Sequence, residues 1–164
     1  MEYKIVDNFL EKEKFDSLTN IVFSEYFPYY FQKNINDLYI EEDKDNHFYL
    51  THILYNYNKN NSSSFDSFYF LLDKINAKSL IRMKINCYPK THKLEIHKSH
   101  LDYDFKHKGC ILYFNDCDGY TILNDGTKIE SIANRALFFD PSLMHSSTSC
   151  TNKKARFNIN INYF

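Results

Sequence analysis

The 164-residue sequence has no tryptophan, no C-x-x-C pair and no internal repeat, and no apolar run approaches the ~20 residues a membrane span needs. Each absence closes a door. Without paired cysteines there is no zinc ribbon and no thioredoxin-like redox motif. The four cysteines, Cys87, Cys110, Cys117 and Cys150, are widely spaced and read as reduced thiols. The opening stretch, Met1-Glu-Tyr-Lys-Ile-Val-Asp7, lacks the apolar segment of a signal peptide. The expected setting is therefore cytoplasmic, with no membrane partner. Without a repeat or a linker, one domain is expected over 1–164.

What is present is a core-forming composition. Hydrophobic residues make up 43% and aromatics 18%, which excludes a disordered chain. The net charge of −1 hides an asymmetry: residues 1–77 hold 7 basic and 13 acidic side chains, and residues 78–164 hold 13 and 8. A modest basic face on the second half would suit nucleic acid. The plainer reading is that the two halves neutralise each other where they meet.

Hydrophobic spacing divides the chain in the same place. A short strand is expected at 3–6, then a helix over 10–26 capped by Asp7 or Asn8. Residues 27–61 are aromatic, acidic and irregular. Ser63 and Asp66 have the spacing of a capping box for a second helix over 64–76. From Lys78 the period falls to 2, and Ile81, Met83, Ile85 and Cys87 alternate with Arg82, Lys84, Asn86 and Tyr88. Further strands are expected at 94–101, 110–115, 120–123, 127–132, 137–140, 145–149 and 155–163. Asn124-Asp-Gly126-Thr is a strong hairpin signal. Helices followed by about eight short strands predict an α+β, mainly β fold: a jelly roll with the N-terminal helices packed on one sheet.

The chemistry-bearing residues lie in the strand region. Of seven histidines, only His100 begins a His-x-Asp/Glu triplet, His100-Leu-Asp102. Taken alone, the triplet reads more readily as a surface histidine beside a loop aspartate. Its position at the end of an expected strand changes that reading. His145 opens another expected strand 43 residues after Asp102, and Arg156 lies 11 further on. Two imidazoles and one carboxylate on one face of an octahedron leave positions open, as a mononuclear iron that activates oxygen requires. On the last strand Arg156, Asn158, Asn160 and Asn162 share one face, and Phe157, Ile159, Ile161 and Tyr163 the other. In a barrel that polar face can line a wet interior. Of the other histidines, His97 and His92 are expected at the surface, and His47, His52 and His107 suggest no partner. Cys87 is expected in the core, and Arg135 exposed.

Five pieces in order carry a family resemblance: Asn86-Cys-Tyr88-Pro, His100-Leu-Asp102, Ile111-Leu-Tyr113-Phe-Asn115, the hairpin from Asp118-Gly119-Tyr120 to Thr127, and Leu137-Phe-Phe-Asp-Pro-Ser-Leu-Met-His145 running on to Arg156. Residues 78–164 resemble the double-stranded β-helix core of 2-oxoglutarate/Fe(II)-dependent dioxygenases, in particular the prolyl-hydroxylase-like branch and its small phage-type members. The resemblance implies His100, Asp102 and His145 as metal ligands and Arg156 as the partner of the distal 2-oxoglutarate carboxylate. Tyr88 and Tyr113 match tyrosines along the cosubstrate, with Asn86 beside them. Asn160 stands where a small hydroxyl residue is usual, and Gly119-Tyr120 where a Gly-Gly pair is common.

The implied cofactors are Fe(II), 2-oxoglutarate and O2, with ascorbate as a reductant. The implied reaction is hydroxylation of a C–H bond with release of succinate and CO2. A peptidyl, prolyl-like substrate comes first, in the host cytoplasm if the source is viral. A nucleobase substrate comes second. A non-catalytic jelly-roll binding or virion-associated module is the alternative from a different class. The residues bordering the metal mouth are expected to be the loop 89–94 and the aromatic stretch 27–57, acting as a lid. Nothing in the sequence sets the oligomeric state.

Overall fold

The computed structural model describes residues 3–32 and 48–164. Two antiparallel sheets form its frame. In chain order the elements are β1 (Lys4–Val6), α1 (Lys12–Val22), β2 (Tyr30–Gln32), β3 (Tyr49–Asn56), β4 (Lys59–Asn60), α2 (Phe65–Phe68), α3 (Phe70–Lys74), β5 (Leu80–Pro89), β6 (Lys108–Tyr113), β7 (Tyr120–Ile122), β8 (Lys128–Glu130), β9 (Ala136–Phe139), β10 (Ser146–Ser147) and β11 (Ala155–Tyr163). The main sheet has eight strands, in the order β1-β9-β6-β11-β5-β3-β2, with β4 on β3. A smaller sheet runs β10-β7-β8. This is the α+β, mainly β jelly roll expected from the strand pattern.

Alternation along the central strands separates two interiors. Met83 and Ile85 of β5, Cys110 and Leu112 of β6, and Ile159 and Ile161 of β11 are buried in one apolar cluster with Leu18 and Val22 of α1, Phe65 and Phe68 of α2, and Leu71 and Leu72 of α3. Ile159 and Ile161 are 0% and 1% exposed. Each such side chain contributes ~1.5–3 kcal/mol by leaving water. The next residues along β6, Ile111 and Tyr113, turn the other way and join Leu123, Ile129, Leu137 and Phe139 in a second, smaller cluster. Asn134 ties the N-terminal segment to this frame. It adopts φ 61°, and its side chain bonds both the N–H (2.9 Å) and the carbonyl (2.8 Å) of Leu10.

The β7–β8 hairpin turns at Asn124-Asp125-Gly126, with Gly126 at φ 85°, where a side chain would be strained. Several local expectations need correction. The helix expected over 10–26 is shorter, Lys12–Val22, and its N-cap Glu11 makes no side-chain cap bond. The second helix is broken into α2 and α3, and Ser64 stands at the N-cap of α2 without a side-chain bond, so no capping box forms. The stretch 94–101 forms no regular strand; it meets the segment 145–149 through isolated bridges, Ile96 to Thr148 and His100 to His145, and through side-chain bonds to Ser147 and Ser149.

The largest difference lies in residues 27–61, expected to be irregular. The described part supplies β2, β3 and β4, and β3 pairs with β5 through most of its length. Phe27 is core, and Tyr29 packs against that core with its hydroxyl on the Val22 carbonyl at 2.9 Å. The described residues of 27–57 form strands and core, and residues 33–47 of the expected lid lie outside the described residues. The acidic run 41–45 lies outside the described residues. Aromatic-rich sequence without a clean period hid an edge strand whose Tyr30 and Phe31 remain exposed.

Candidate metal centre and pocket

Two neighbouring strands carry two rows of polar side chains on the face away from the helices. On β5 the row is Arg82, Lys84, Asn86, Tyr88; on β11 it is Asn162, Asn160, Asn158, Arg156. The antiparallel register sets them side by side, Arg82 with Asn162, Lys84 with Asn160, Asn86 with Asn158 and Tyr88 with Arg156. Asn86 Nδ2 donates to Asn158 Oδ1 at 3.0 Å. The Arg156 guanidinium lies 5.4 Å from the Tyr88 ring centroid. A period of 2 in the sequence thus delivers eight polar residues to one surface between the sheets.

His100, Asp102 and His145 converge over one end of these rows. One potential ligand atom from each lies within 4.8 Å of the others. The backbones of His100 and His145 exchange hydrogen bonds of 2.9 and 2.8 Å. Their rings stand 4.6 Å apart between centroids. Each imidazole donates its Nδ1–H to a nearby carbonyl, His145 to Leu143 at 2.9 Å and His100 to Lys98 at 3.3 Å. That tautomer leaves both Nε2 lone pairs free, as a metal ligand requires. His100 Nε2 and Asp102 Oδ1 are 3.9 Å apart. Neighbouring ligands ~2.1 Å from an octahedral ion lie ~3.0 Å apart. The three ligand atoms, within 4.8 Å of one another, are therefore spread wider than in a filled octahedral site.

The charge states suit a cation. Burial, and then the adjacent His145, push the His100 imidazole down to about 4, so it is neutral at pH 7. Burial raises the Asp102 carboxyl, but Arg82, His145, Lys84 and His100 outweigh it and hold it well below the usual carboxylate range. Asp102 Oδ1 accepts from Arg82 at 2.7 Å, and Oδ2 from Asn160 at 3.1 Å and Asn162 at 2.9 Å. Asn160 therefore touches the carboxylate as well as lining the pocket.

A narrow pocket opens beside the histidines. It is lined by Tyr49, Lys84, Asn86, Tyr88, His100, Ile111, Thr121, His145, Ser146, Ser147, Asn158 and Asn160. Its free volume is about 30 Å³, room for roughly two waters. A five-carbon dicarboxylate enters only if lining side chains move, and the long ones are Lys84, Tyr49 and Tyr88. Arg156 lies behind Thr121, 0% exposed. Its Nη1 donates to the Thr148 carbonyl at 3.2 Å and its Nη2 to Thr121 Oγ1 at 3.0 Å. Tyr113 donates its hydroxyl to the same Thr121 oxygen at 2.8 Å. Among the described residues no carboxylate pairs with Arg156, and its Nε is buried without a partner. Gly119 makes room for it: a Cβ there would stand 2.7 Å from Arg156 Cδ and 2.4 Å from the Ser149 carbonyl oxygen. Burial keeps the Tyr88 and Tyr113 hydroxyls above their ordinary range, although Arg156 pulls them down.

The candidate residues are thus brought together: the triad, then Asn160 and Asn86, then Tyr88, Tyr113 and Arg156 along one interior. His97, expected at the surface, is instead buried at 5%, with Nδ1 2.7 Å from Ser147 Oγ and its ring 5.2 Å from that of Tyr88. His107 and His52 also have partners. His107 Nδ1 donates to the Phe105 carbonyl at 2.8 Å, so its Nε2 accepts from Asn162 at 3.2 Å. His52 bridges the Pro28 carbonyl and Ser62 Oγ. Arg135 is held by Asp7 through contacts of 2.6 and 3.1 Å. Sequence reasoning missed Arg82, Thr121 and Ser147; it set Asn162 on the polar face of the last strand without a role, and Tyr49 only within the aromatic stretch 27–57. The alternation of β5 was the available signal for Arg82, and that of β11 for Asn162; nothing local marks Thr121 or Tyr49.

Comparison with solved structures identifies the architecture. The fold is that of the 2OG-Fe(II) oxygenases. A viral collagen prolyl hydroxylase from Paramecium Bursaria Chlorella virus-1 aligns over 99% of this chain and 95% of its own, with TM-score 0.62 and 15% identity. A prolyl hydroxylase from Trichoplax adhaerens, in complex with a hypoxia inducible factor oxygen degradation domain peptide, aligns over 99% and 83%, with TM-score 0.70 and 15% identity. A non-heme alpha-ketoglutarate-dependent epimerase from nogalamycin biosynthesis aligns over 99% and 77%, with TM-score 0.67 and 10% identity. No protein-family model and no curated protein sequence matches the chain.

Proposed function

We propose that the chain is an Fe(II)- and 2-oxoglutarate-dependent oxygenase that hydroxylates a C–H bond of a peptidyl, prolyl-like substrate. One observation carries the reading. A histidine–aspartate–histidine set with both Nε2 atoms free stands at one end of a polar interior, and a buried arginine without a carboxylate partner stands at the other. A buried guanidinium in that condition is costly unless an anion meets it. Its Nη2 and the Tyr113 hydroxyl already converge on a single oxygen, that of Thr121. A carboxylate accepts the same two donors and binds an arginine more strongly than a neutral hydroxyl does.

Iron held by His100, Asp102 and His145 supplies oxygen activation. The chain's own residues do the rest. Arg156 and Tyr113 take the distal carboxylate, with Thr121 and Tyr88 beside it. Asn86 and Asn158, bonded to each other, fill the middle of the floor. The half-buried His100 marks the open side, where a substrate meets the centre. Peptide recognition is favoured because one structural neighbour was captured with a peptide and several are prolyl hydroxylases. The epimerase neighbour shows that this architecture also serves a reaction other than hydroxylation.

The test is succinate formation from 2-oxoglutarate with Fe(II), first without and then with proline-containing peptides. Succinate that depends on Fe(II) and disappears in His145→Ala supports the oxygenase. A folded protein that binds Fe(II) but neither binds nor consumes 2-oxoglutarate would overturn it. Stimulation by peptides, with a mass gain of one oxygen, supports the substrate class.

A further inference from the structure

Four buried side-chain atoms lack a hydrogen-bond partner among the described residues: Arg82 Nε, Arg156 Nε, Asn160 Oδ1 and Asn162 Oδ1. Three of the four belong to the residues around Asp102. Native proteins rarely leave such atoms unpaired, and each one costs on the order of 1–3 kcal/mol. Turning either amide over would pair its oxygen elsewhere only by facing it to a carboxylate. For Asn162 the orientation is doubly fixed. Its Nδ2 gives one hydrogen to Asp102 Oδ2 and the other to His107 Nε2, which can only accept because His107 Nδ1 donates to the Phe105 carbonyl. The fold thus tolerates unpaired carbonyls in order to aim two amide donors at one carboxylate oxygen.

Counting lone pairs shows the consequence. An ionised carboxylate offers about four acceptor sites, two on each oxygen. On Asp102, Oδ2 is filled by Asn160 and Asn162, and Oδ1 takes Arg82. One site remains, on Oδ1, the oxygen 3.9 Å from His100 Nε2. We infer that Asn160, Asn162 and Arg82, with His107 behind Asn162, are positioning residues that restrict Asp102 to binding the metal through Oδ1 alone. The inference rests on the metal-centre reading above. Its functional content is that a second carboxylate oxygen on the metal would take up a position that cosubstrate, water or oxygen must use. The restraint also keeps Asp102 from swinging away when the metal is absent.

The experiment uses the full chain with Co(II) as a spectroscopic, non-turning-over probe. Asn162→Leu is nearly isosteric and removes both donated hydrogens. Asn160→Leu tests the same oxygen from its other donor, and serves if Asn162→Leu does not fold. His107→Leu releases Asn162 without touching the carboxylate. The expected result is retained Co(II) binding, an altered d–d absorption spectrum, and both Asp102 oxygens on the metal in a Co(II)-loaded crystal structure. The spectral change should be largest in the Asn160→Leu/Asn162→Leu double variant and smaller in His107→Leu. Spectra superimposable on wild type in folded variants would overturn the inference. So would loss of Co(II) binding by more than about tenfold in a folded variant, which would mean the amides present the carboxylate without restraining it. Failure of wild type itself to bind Co(II) would remove the metal-centre reading and the inference with it.

Discussion

Replacing Arg156 by methionine separates the anchoring role from a structural one. Methionine keeps an unbranched stem that packs against Gly119 and between the rings of Tyr88 and Tyr113, 5.4 and 5.5 Å from the guanidinium carbon. It loses the donors to the Thr148 carbonyl and to Thr121 Oγ1. Thr121 keeps the Tyr113 donor, so a single carbonyl is stranded, at a cost of about 1–3 kcal/mol. Removing a buried charge that has no carboxylate partner offsets that cost. The melting temperature should therefore move little. Affinity for 2-oxoglutarate should fall much more, because a charge-assisted hydrogen bond contributes ~1.5–3 kcal/mol, or roughly 10- to 150-fold in Kd. Titration calorimetry of Mn(II)-loaded protein without oxygen measures the change. Unchanged affinity in a folded variant would refute the anchor. A collapse of stability with affinity preserved in the surviving folded fraction would make Arg156 a structural residue.

How far the sequence foretold this arrangement depends on where each signal resided. Strand alternation is local, and it placed Arg156 and Asn158 on the same face as Asn160 and Asn162 before any fold was known. The unique His-x-Asp and the Pro-Ser turn before His145 were local signals too, although the strand expected over 94–101 forms only isolated bridges. What remained hidden is set by register between strands distant in the chain. Arg82 shares its strand face with Asn86 and Tyr88 but carried no expected role, and only the pairing of Arg82 with Asn162 puts its guanidinium on Asp102. His97 looked exposed because an ideal strand would turn it away from His100. The segment instead makes isolated bridges, and His97 bonds Ser147. The helix expected over 64–76 is present as two short pieces, α2 and α3, joined at Tyr69, whose own backbone stays helical at φ −58° and ψ −36°, and both pieces turn Phe65, Phe68, Leu71 and Leu72 into one core. For His97, tertiary contact overrode the local strand pattern.

Three further outcomes follow from the same geometry. Asp102→Ala should abolish divalent-metal binding in a fluorescence or calorimetric titration. It should also lower stability by up to about 3–5 kcal/mol because Arg82 loses its buried partner, and the Arg82→Met/Asp102→Ala double variant should recover stability but not metal. Gly119→Ala should cost about 1–3 kcal/mol by overpacking and should weaken 2-oxoglutarate binding, since the new Cβ meets Arg156 Cδ; a variant as stable as wild type with normal affinity would contradict the close approach. Stability of the metal-free protein should depend on pH through His100, whose folded-state value of about 4 lies below the ordinary 6.5. Between those values the unfolded chain holds a proton on this imidazole and the folded chain does not. Stability from this group is therefore complete above pH 6.5 and is lost as pH falls towards 4, by up to about 3 kcal/mol at ~1.4 kcal/mol per pH unit. Asp102, held below the ordinary carboxylate value, extends the loss in the same direction at lower pH. Urea unfolding at pH 7.0, 5.5 and 4.5 measures the slope, and His100→Gln should flatten its upper part. A wild-type curve that stays level across this window, or a variant with the same slope, would mean that His100 is not held neutral by burial and by its neighbour His145.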